Sequence, residues 1–288
     1  MKKQKNRKEY QGSVAENFSG KNLGYQAKKS LGQNFLNSKP ALEKIVASAY
    51  LSSADTVLEV GPGKGALTEL LLAKAGKVIA VEKDDRLIPF LKEKFKQEIS
   101  FGDFLLVHGD ILEFNPASQN LSQNSYKLVA NIPYYITGIF IRKFLSEVAQ
   151  PSTMVLMLQK EVAERIVARD GKESILSMSV KAYGTPKIIG IVKAGSFTPS
   201  PAVDSAILAI ESISKDFFKG FSEDTFFELL KAGFSSKRKQ MLGNLKKIEK
   251  IPTGFLPELF QKVGIELNAR AEDITLLQWK KLLEAMEE

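Results

Sequence analysis

Five runs of nearly continuous apolar residues recur along the first 160 positions: TVLEVG (56–61), KVIAVE (77–82), FLLVHGD (104–110), YKLVAN (126–131) and TMVLMLQ (153–159). Segments with helical spacing lie between them, near 65–75, 84–97 and 137–149. A strand that is apolar on both faces must be covered on both faces. Strands alternating with helices therefore predict an α/β fold: a parallel sheet with helices packed on each side. A helix is expected to open the pattern from Ser38, with Ser38 as its cap, Pro40 in its first turn, and Leu42, Ile45, Val46, Ala49 and Tyr50 recurring at helical spacing. After a helical stretch from 160 and another near 173–183 come two further strand-like runs, KIIGIVKA (187–194) and VDSAILAIE (203–211). No helix separates these two, which predicts an antiparallel pair at the sheet edge. SISKDFFKG (212–220) reads as a boundary, and the remaining pattern, including KRKQMLGNLKKI, reads as helix. The expected organisation is a polar, basic arm over 1–27, an α/β domain over 28–213 and a small all-helical domain over 214–288.

Composition removes several kinds of chemistry. The chain has no cysteine and a single histidine, His108. Disulfides, thiolate zinc sites, cysteine nucleophiles and multi-histidine metal sites are excluded, and no metal is expected. His108, alone on an apolar strand, is read as structural. Lys plus Arg is 41 against 33 Asp plus Glu, for a net charge of +8, which favours a polyanionic partner. No run is long and apolar enough to span a bilayer, and no apolar core follows the basic start as a signal peptide requires. The expected compartment is the cytoplasm.

The first strand runs into Gly61-Pro62-Gly63-Lys64-Gly65. Glycines there permit a tight turn and a close approach of backbone to a ligand. Glu82 ends the next strand, where a carboxylate can accept from both hydroxyls of a ribose. Asp110 closes the third strand and can take an adenine amino group. The spacing G-x-G-x-G differs from the G-x-G-x-x-G of dinucleotide sites. An ordinary strand-to-helix turn with a capping acid is the plain alternative to a cofactor loop.

The fourth strand ends in Asn131-Ile132-Pro133-Tyr134-Tyr135. The exocyclic amine of adenine is a poor nucleophile because its lone pair is delocalised into the ring. The Asn131 side-chain oxygen and the Ile132 carbonyl can accept hydrogen bonds from such an amine, with Pro133 fixing their direction. Tyr134 can stack on a base that has left its helix. No strong base is required if the methyl donor is a sulfonium, so catalysis is alignment and desolvation. The plain alternative is a strand-end turn with buried tyrosines.

These segments, with KKSLGQNFL (28–36), VLEVGPGKGALT (57–68), VEKD (81–84), HGD (108–110), VANIPYYIT (129–137), FTPSPAVDSA (197–206), KRKQMLGNL (237–245) and RAEDIT (270–275), resemble the ribosomal RNA adenine dimethylases, most closely those that act on the small subunit. The resemblance spans almost the whole chain in the family's order. It implies a class I S-adenosylmethionine-dependent methyltransferase fold, Rossmann-like, with a helical C-terminal domain. It implies S-adenosyl-L-methionine as cofactor and, as substrate, two neighbouring adenosines of 16S rRNA in the small ribosomal subunit or its precursor, each dimethylated at N6. By position it implies that Gln33, Asn34 and Leu36 line the methionine end of the cofactor, that Gly61 and Gly63 approach it, and that Glu82 and Asp110 hold its ribose and adenine. Asn131, between cofactor and target, counts toward both. Phe197 would stack on the target's other face. Ile132 departs from the Leu common in the small-subunit enzymes and is shared with relatives that methylate large-subunit RNA. Lys237, Arg238, Lys239, Lys246 and Lys247 are expected to follow RNA phosphates. The competing readings are a 23S rRNA dimethylase, a ribosome-assembly factor of the same fold without catalysis, and a nucleotide-dependent oxidoreductase. A monomer is the expected state.

Overall fold

The computed structural model describes residues 26–246 and 254–287. The arm read over 1–27 lies outside them except for its last two residues, and Lys247 lies outside them too. A two-residue strand, β1 (Phe35–Leu36), precedes α1 (Lys39–Ser48). Ser38 caps that helix by accepting from the Ala41 N–H, and Pro40 stands in its first turn, as the sequence indicated. Then strands and helices alternate: β2 (Thr56–Val60), α2 (Ala66–Leu72), β3 (Lys77–Glu82), α3 (Leu87–Lys94), α4 (Lys96–Phe101), β4 (Phe104–His108), β5 (Tyr126–Asn131), α5 (Thr137–Ser146) and β6 (Thr153–Gln159). Two helices, α6 (Lys160–Val167) and α7 (Ile175–Lys181), lead to β7 (Thr185–Val192), the short β8 (Phe197–Thr198) and β9 (Ser205–Glu211).

Seven strands form one sheet in the order β4-β3-β2-β5-β6-β9-β7. The five from β4 to β6 are parallel, and β9 and β7 run antiparallel at the edge. The chain builds outward from β2 through β3 to β4, then returns to lay β5 on the other side of β2. That reversal leaves a crevice beyond the carboxyl ends of β2 and β5, the usual ligand position in such sheets. Register puts Val60 opposite Ala130, so the glycine loop and the Asn131 loop leave the sheet side by side.

Alternate residues of each strand feed two buried layers. Val57, Val78, Ala80, Val129 and Val155 pack with Ile45, Leu71 and Leu91 on one face. Leu58, Ile79, Leu128, Ala130 and Leu156 pack with Phe140 and Phe144 on the other, and this layer continues without a break into Phe226, Leu230 and Trp279. The latter three come from the last part of the chain, where α8 (Glu223–Gly233), α9 (Met241–Leu245), α10 (Leu256–Lys262) and α11 (Leu276–Glu287) follow one another. Gly233 is required there by close approach, since a Cβ on it would stand 2.3 Å from the fully buried Trp279 ring.

Three local expectations need correction, and one element was not anticipated. Tyr50, read as part of the first helix, lies past its end with φ of 48° and an exposed ring. The helix read over 84–97 breaks at Phe95, whose ring turns inward beneath the glycine loop, where a Cβ on Gly65 would come within 2.6 Å of it. KRKQ is not helical: Lys239 donates its N–H to the Ser236 carbonyl in a turn, and the helix begins only at Met241. The β1–β8 ribbon was not anticipated, because a two-residue strand carries no periodicity to read.

Candidate active site

The crevice at the switch point is lined by Gln33 and Asn34 from the segment before β1, Gly61 and Gly63 after β2, Glu82 and Lys83 after β3, Asp110 after β4, and Asn131 to Ile136 after β5. Each functional group thus sits where a strand ends, on a loop whose origin the sheet holds fixed. Gly61 and Gly63 have φ of 63° and 58°, in the left-handed region that favours glycine. A Cβ on Gly61 would meet no protein atom within 4 Å, so this turn opens its backbone toward the cleft.

Glu82 is 4% exposed. One carboxylate oxygen accepts from the Gly63 N–H at 3.0 Å and the other from the Asp84 N–H at 2.7 Å. Burial raises its pKa, and the backbone donors of Asp84 and Gly63 work against that rise. The carboxylate therefore ties the glycine loop to β3 and keeps acceptor positions for a ligand in the cleft. Asp110 accepts from the Leu112 N–H at 2.9 Å and from the Lys83 ammonium at 2.6 Å. Burial opposes its charge, but Lys83 and the Leu112 N–H outweigh burial and lower its pKa. The glycine turn, Glu82 and Asp110 stand side by side at the ends of the adjacent strands β2, β3 and β4, an order that fits the ribose and adenine of S-adenosylmethionine.

At the other wall, the Asn131 side chain donates from Nδ2 to the Asn34 carbonyl at 3.2 Å. This bond fixes the amide orientation and leaves Oδ1 as an acceptor for an amine. Ile132 is 2% exposed and borders the cleft, so Ile in place of Leu at this position bears first on packing. Pro133 holds φ at −58°. The Tyr134 hydroxyl is hydrogen-bonded to the Ser205 hydroxyl at 2.6 Å, which anchors the ring to the start of β9. Burial raises its pKa, with the Ser205 bond opposing, so the phenol is neutral.

Of the residues the resemblance implied, Gln33 and Asn34 line the cleft, while Leu36 and Phe197 do not. Gln33 lines the cleft, but its amide accepts from the Lys28 N–H and donates to Asp84. Leu36 and Phe197 are 7% and 4% exposed, face each other in the β1–β8 ribbon and are absent from the cleft lining. Their apolar side chains join the buried layer beneath it. His108 is exposed at the end of the edge strand β4, outside the lining. Lys237, Arg238, Lys239 and Lys246 are all exposed.

Residues that the sequence did not single out complete the site. Asp84, 1% exposed, accepts from Arg86 and Gln33 and lies 3.7 Å from Lys28. The Arg86 guanidinium holds its carboxyl well below the usual carboxylate range. This cluster pins residues 28–33 against the end of β3. Its sequence traces are VEKD (81–84), which ends on Asp84, KKSLGQNFL (28–36), which holds Lys28 and Gln33, and the spacing Asp-x-Arg in DDR (84–86). Lys83 and Ser205 fall within VEKD (81–84) and FTPSPAVDSA (197–206), yet nothing in those segments assigns either a role, because each acts through a partner distant in sequence.

The profile of the ribosomal RNA adenine dimethylase family matches residues 24–288. A ribosomal RNA small subunit methyltransferase A from Dehalococcoides mccartyi (strain CBDB1) is 47% identical over 257 residues, covering 89% of this chain and 87% of that protein. Among solved structures, a dimethyladenosine transferase from Plasmodium falciparum is similar at a TM-score of 0.76 and 27% identity, over 88% of this chain and 97% of that one. The 23S rRNA methyltransferase ErmE is similar at a TM-score of 0.74 and 25% identity, over 88% of this chain and all of that one.

Proposed function

The chain belongs to the ribosomal RNA adenine dimethylase family, and we propose that the RNA it modifies is that of the small subunit, at two neighbouring adenosines, by a monomer in the cytoplasm. Membership carries the reaction: dimethylation of adenine in ribosomal RNA with S-adenosylmethionine as donor. The finer assignment rests chiefly on one observation. Identity to a small-subunit enzyme reaches 47% over 89% of the chain, whereas the large-subunit enzyme ErmE stands at 25%. No helix among the described residues is long and apolar enough to cross a membrane.

The cofactor, when bound, supplies a methyl group on a positively charged sulfur that is a good leaving group. The chain's residues supply position. Glu82 accepts from the ribose hydroxyls and Asp110 from the adenine amine. Asn131 Oδ1 and the Ile132 carbonyl accept from the target amine, turning its lone pair toward the methyl group. Tyr134, anchored by Ser205, covers the target ring. A reaction of this kind releases one proton per transfer, after the methyl group has moved, so no residue with a strongly shifted pKa is needed as base. Residues 214–288 serve as the RNA-binding helical domain, with Lys237, Arg238, Lys239 and Lys246 along the phosphate backbone; Lys247 lies outside the described residues.

Incubation with radiolabelled S-adenosylmethionine and unmodified small subunits, with large-subunit RNA in parallel, tests this reading. Label is expected in dimethyladenosine from the small subunit alone. Label only in large-subunit RNA overturns the substrate assignment. In binding titrations across salt concentrations, Lys237→Ala with Arg238→Ala is expected to weaken RNA binding and to reduce the slope of log affinity against log salt by about 1.4–1.8, near 0.7–0.9 per lost phosphate contact. An unchanged slope removes both residues from the interface.

A further inference from the structure

Helix α5 follows the Asn131 loop directly. It buries Thr137, Phe140, Ile141, Phe144 and Leu145 against the sheet. Helical spacing puts Tyr135, Gly138, Ile139 and Arg142 on the opposite side, and all four are exposed. A solvent-facing helix surface is ordinarily polar. Here it opens with an aromatic ring 64% exposed and a β-branched aliphatic residue 60% exposed. Between them stands Gly138, where a Cβ would meet nothing within 4 Å and where φ lies outside the left-handed region. No packing or backbone requirement inside the protein calls for glycine at that point. Arg142, one turn further, makes no ion pair among the described residues. Tyr135 is also part of the cleft lining, so this surface is continuous with the target site.

We infer that this stripe receives the nucleotide next to the target adenosine, and the inference rests on the RNA-methylating reading above. A base that enters the cleft must leave its stack, and its neighbour then loses a stacking partner. Tyr135 and Ile139 offer an apolar platform for that exposed base. Bare backbone at Gly138 lets the ribose come close, and the Arg142 guanidinium meets the phosphate. The ligand is thus an unstacked nucleotide of a loop or strand end, not a paired duplex. An enzyme that acts on two neighbouring adenosines has particular use for such a platform, since whichever adenosine is outside the cleft is held beside it.

The test uses the full chain and steady-state methylation of small subunits. Ile139→Asp is expected to raise the KM for RNA about ten-fold, because a carboxylate there removes the apolar contact beside Tyr135 and repels the phosphates. Gly138→Leu is expected to act in the same direction while the melting temperature holds or rises. Affinity for S-adenosylhomocysteine, measured without RNA, stays unchanged in both. Val148→Asp is the control, because Val148 is 86% exposed just beyond the same helix and outside the stripe. KM values for both variants within two-fold of the unaltered protein overturn the inference, as does an equal loss in Val148→Asp. Failure of the unaltered protein to methylate small-subunit RNA is a separate outcome and overturns the reading on which the surface rests.

Discussion

Asn131→Ala lowers single-turnover methylation at least about a hundred-fold at saturating cofactor and RNA, a loss of roughly 3 kcal/mol in transition-state stabilisation. The size follows from what the side chain is placed to do. Its Nδ2 is committed to the Asn34 carbonyl at 3.2 Å, so Oδ1 cannot flip away from the cleft without losing that bond. An acceptor held in advance strengthens as the amine gains charge in the transition state and needs no reorganisation at that moment. Ground-state binding of RNA depends on a far larger surface, so KM moves little while kcat falls. Loss of the Asn34 contact also loosens the segment before β1, and a small weakening of cofactor binding accompanies the rate effect. Near-normal turnover by the alanine variant removes Asn131 from the reaction. A loss confined to KM makes it a binding residue only.

The parts of this molecule that were readable in advance share one property: their cause is local in sequence. β3, β5 and β6 occupy the residues whose apolar runs announced them, because burial on both faces leaves no polar position to blur the pattern. The glycine loop and the Asn131 loop announced the cleft for a similar reason, since a positive φ or a proline-fixed carbonyl must be written into the residues themselves. What was not readable depends on contacts at long range. Asp84 is buried because Gln33, 51 positions earlier, and Lys28 converge on it. Tyr134 is anchored by a serine 71 positions later. Phe197 lies in a Pro-rich loop and suggested an exposed stacking ring, yet the β1–β8 pairing draws it inward against Leu36. Its place in the resemblance points to the site, while its burial points to the support beneath it.

Glu59 carries the largest expected effect on stability, and the sequence hid it among the apolar residues of β2. It is 1% exposed, and neither carboxyl oxygen has a hydrogen-bond partner. The buried Thr68 hydroxyl beside it makes no bond of ordinary geometry with it. Burial is the main cause that pushes its pKa from the usual 4.5 up to about 8; the charge of Glu82 adds to the rise, and Thr68 and Lys94 oppose it. The folded protein therefore keeps this carboxyl protonated at neutral pH, while the unfolded chain releases the proton above 4.5. Between those two values the unfolded state binds fewer protons than the folded one, so stability falls as pH rises. The slope approaches about 1.4 kcal/mol per pH unit, with a total on the order of 5 kcal/mol across the window. Below it the contribution is fully present; above about 8 it is gone and the slope levels. Glu59→Gln keeps the shape and removes the titration. Thermal melts from pH 5 to pH 8 are expected to show the unaltered protein losing stability relative to this variant, with the widest gap at pH 8. Asp84 does not interfere, because its depressed pKa places its own loss of stability below this range. Glu82 shifts in the same direction and is coupled to Glu59, so the difference between the curves reports Glu59 together with the change its loss makes in Glu82. Parallel curves would mean that the folded protein holds Glu59 ionised. Because Glu59 stands two residues before Gly61, a diverging pair of curves should be matched by cofactor affinity. Charging the carboxyl draws water under the glycine loop, so binding by the unaltered protein weakens through pH 8 while the glutamine variant retains it.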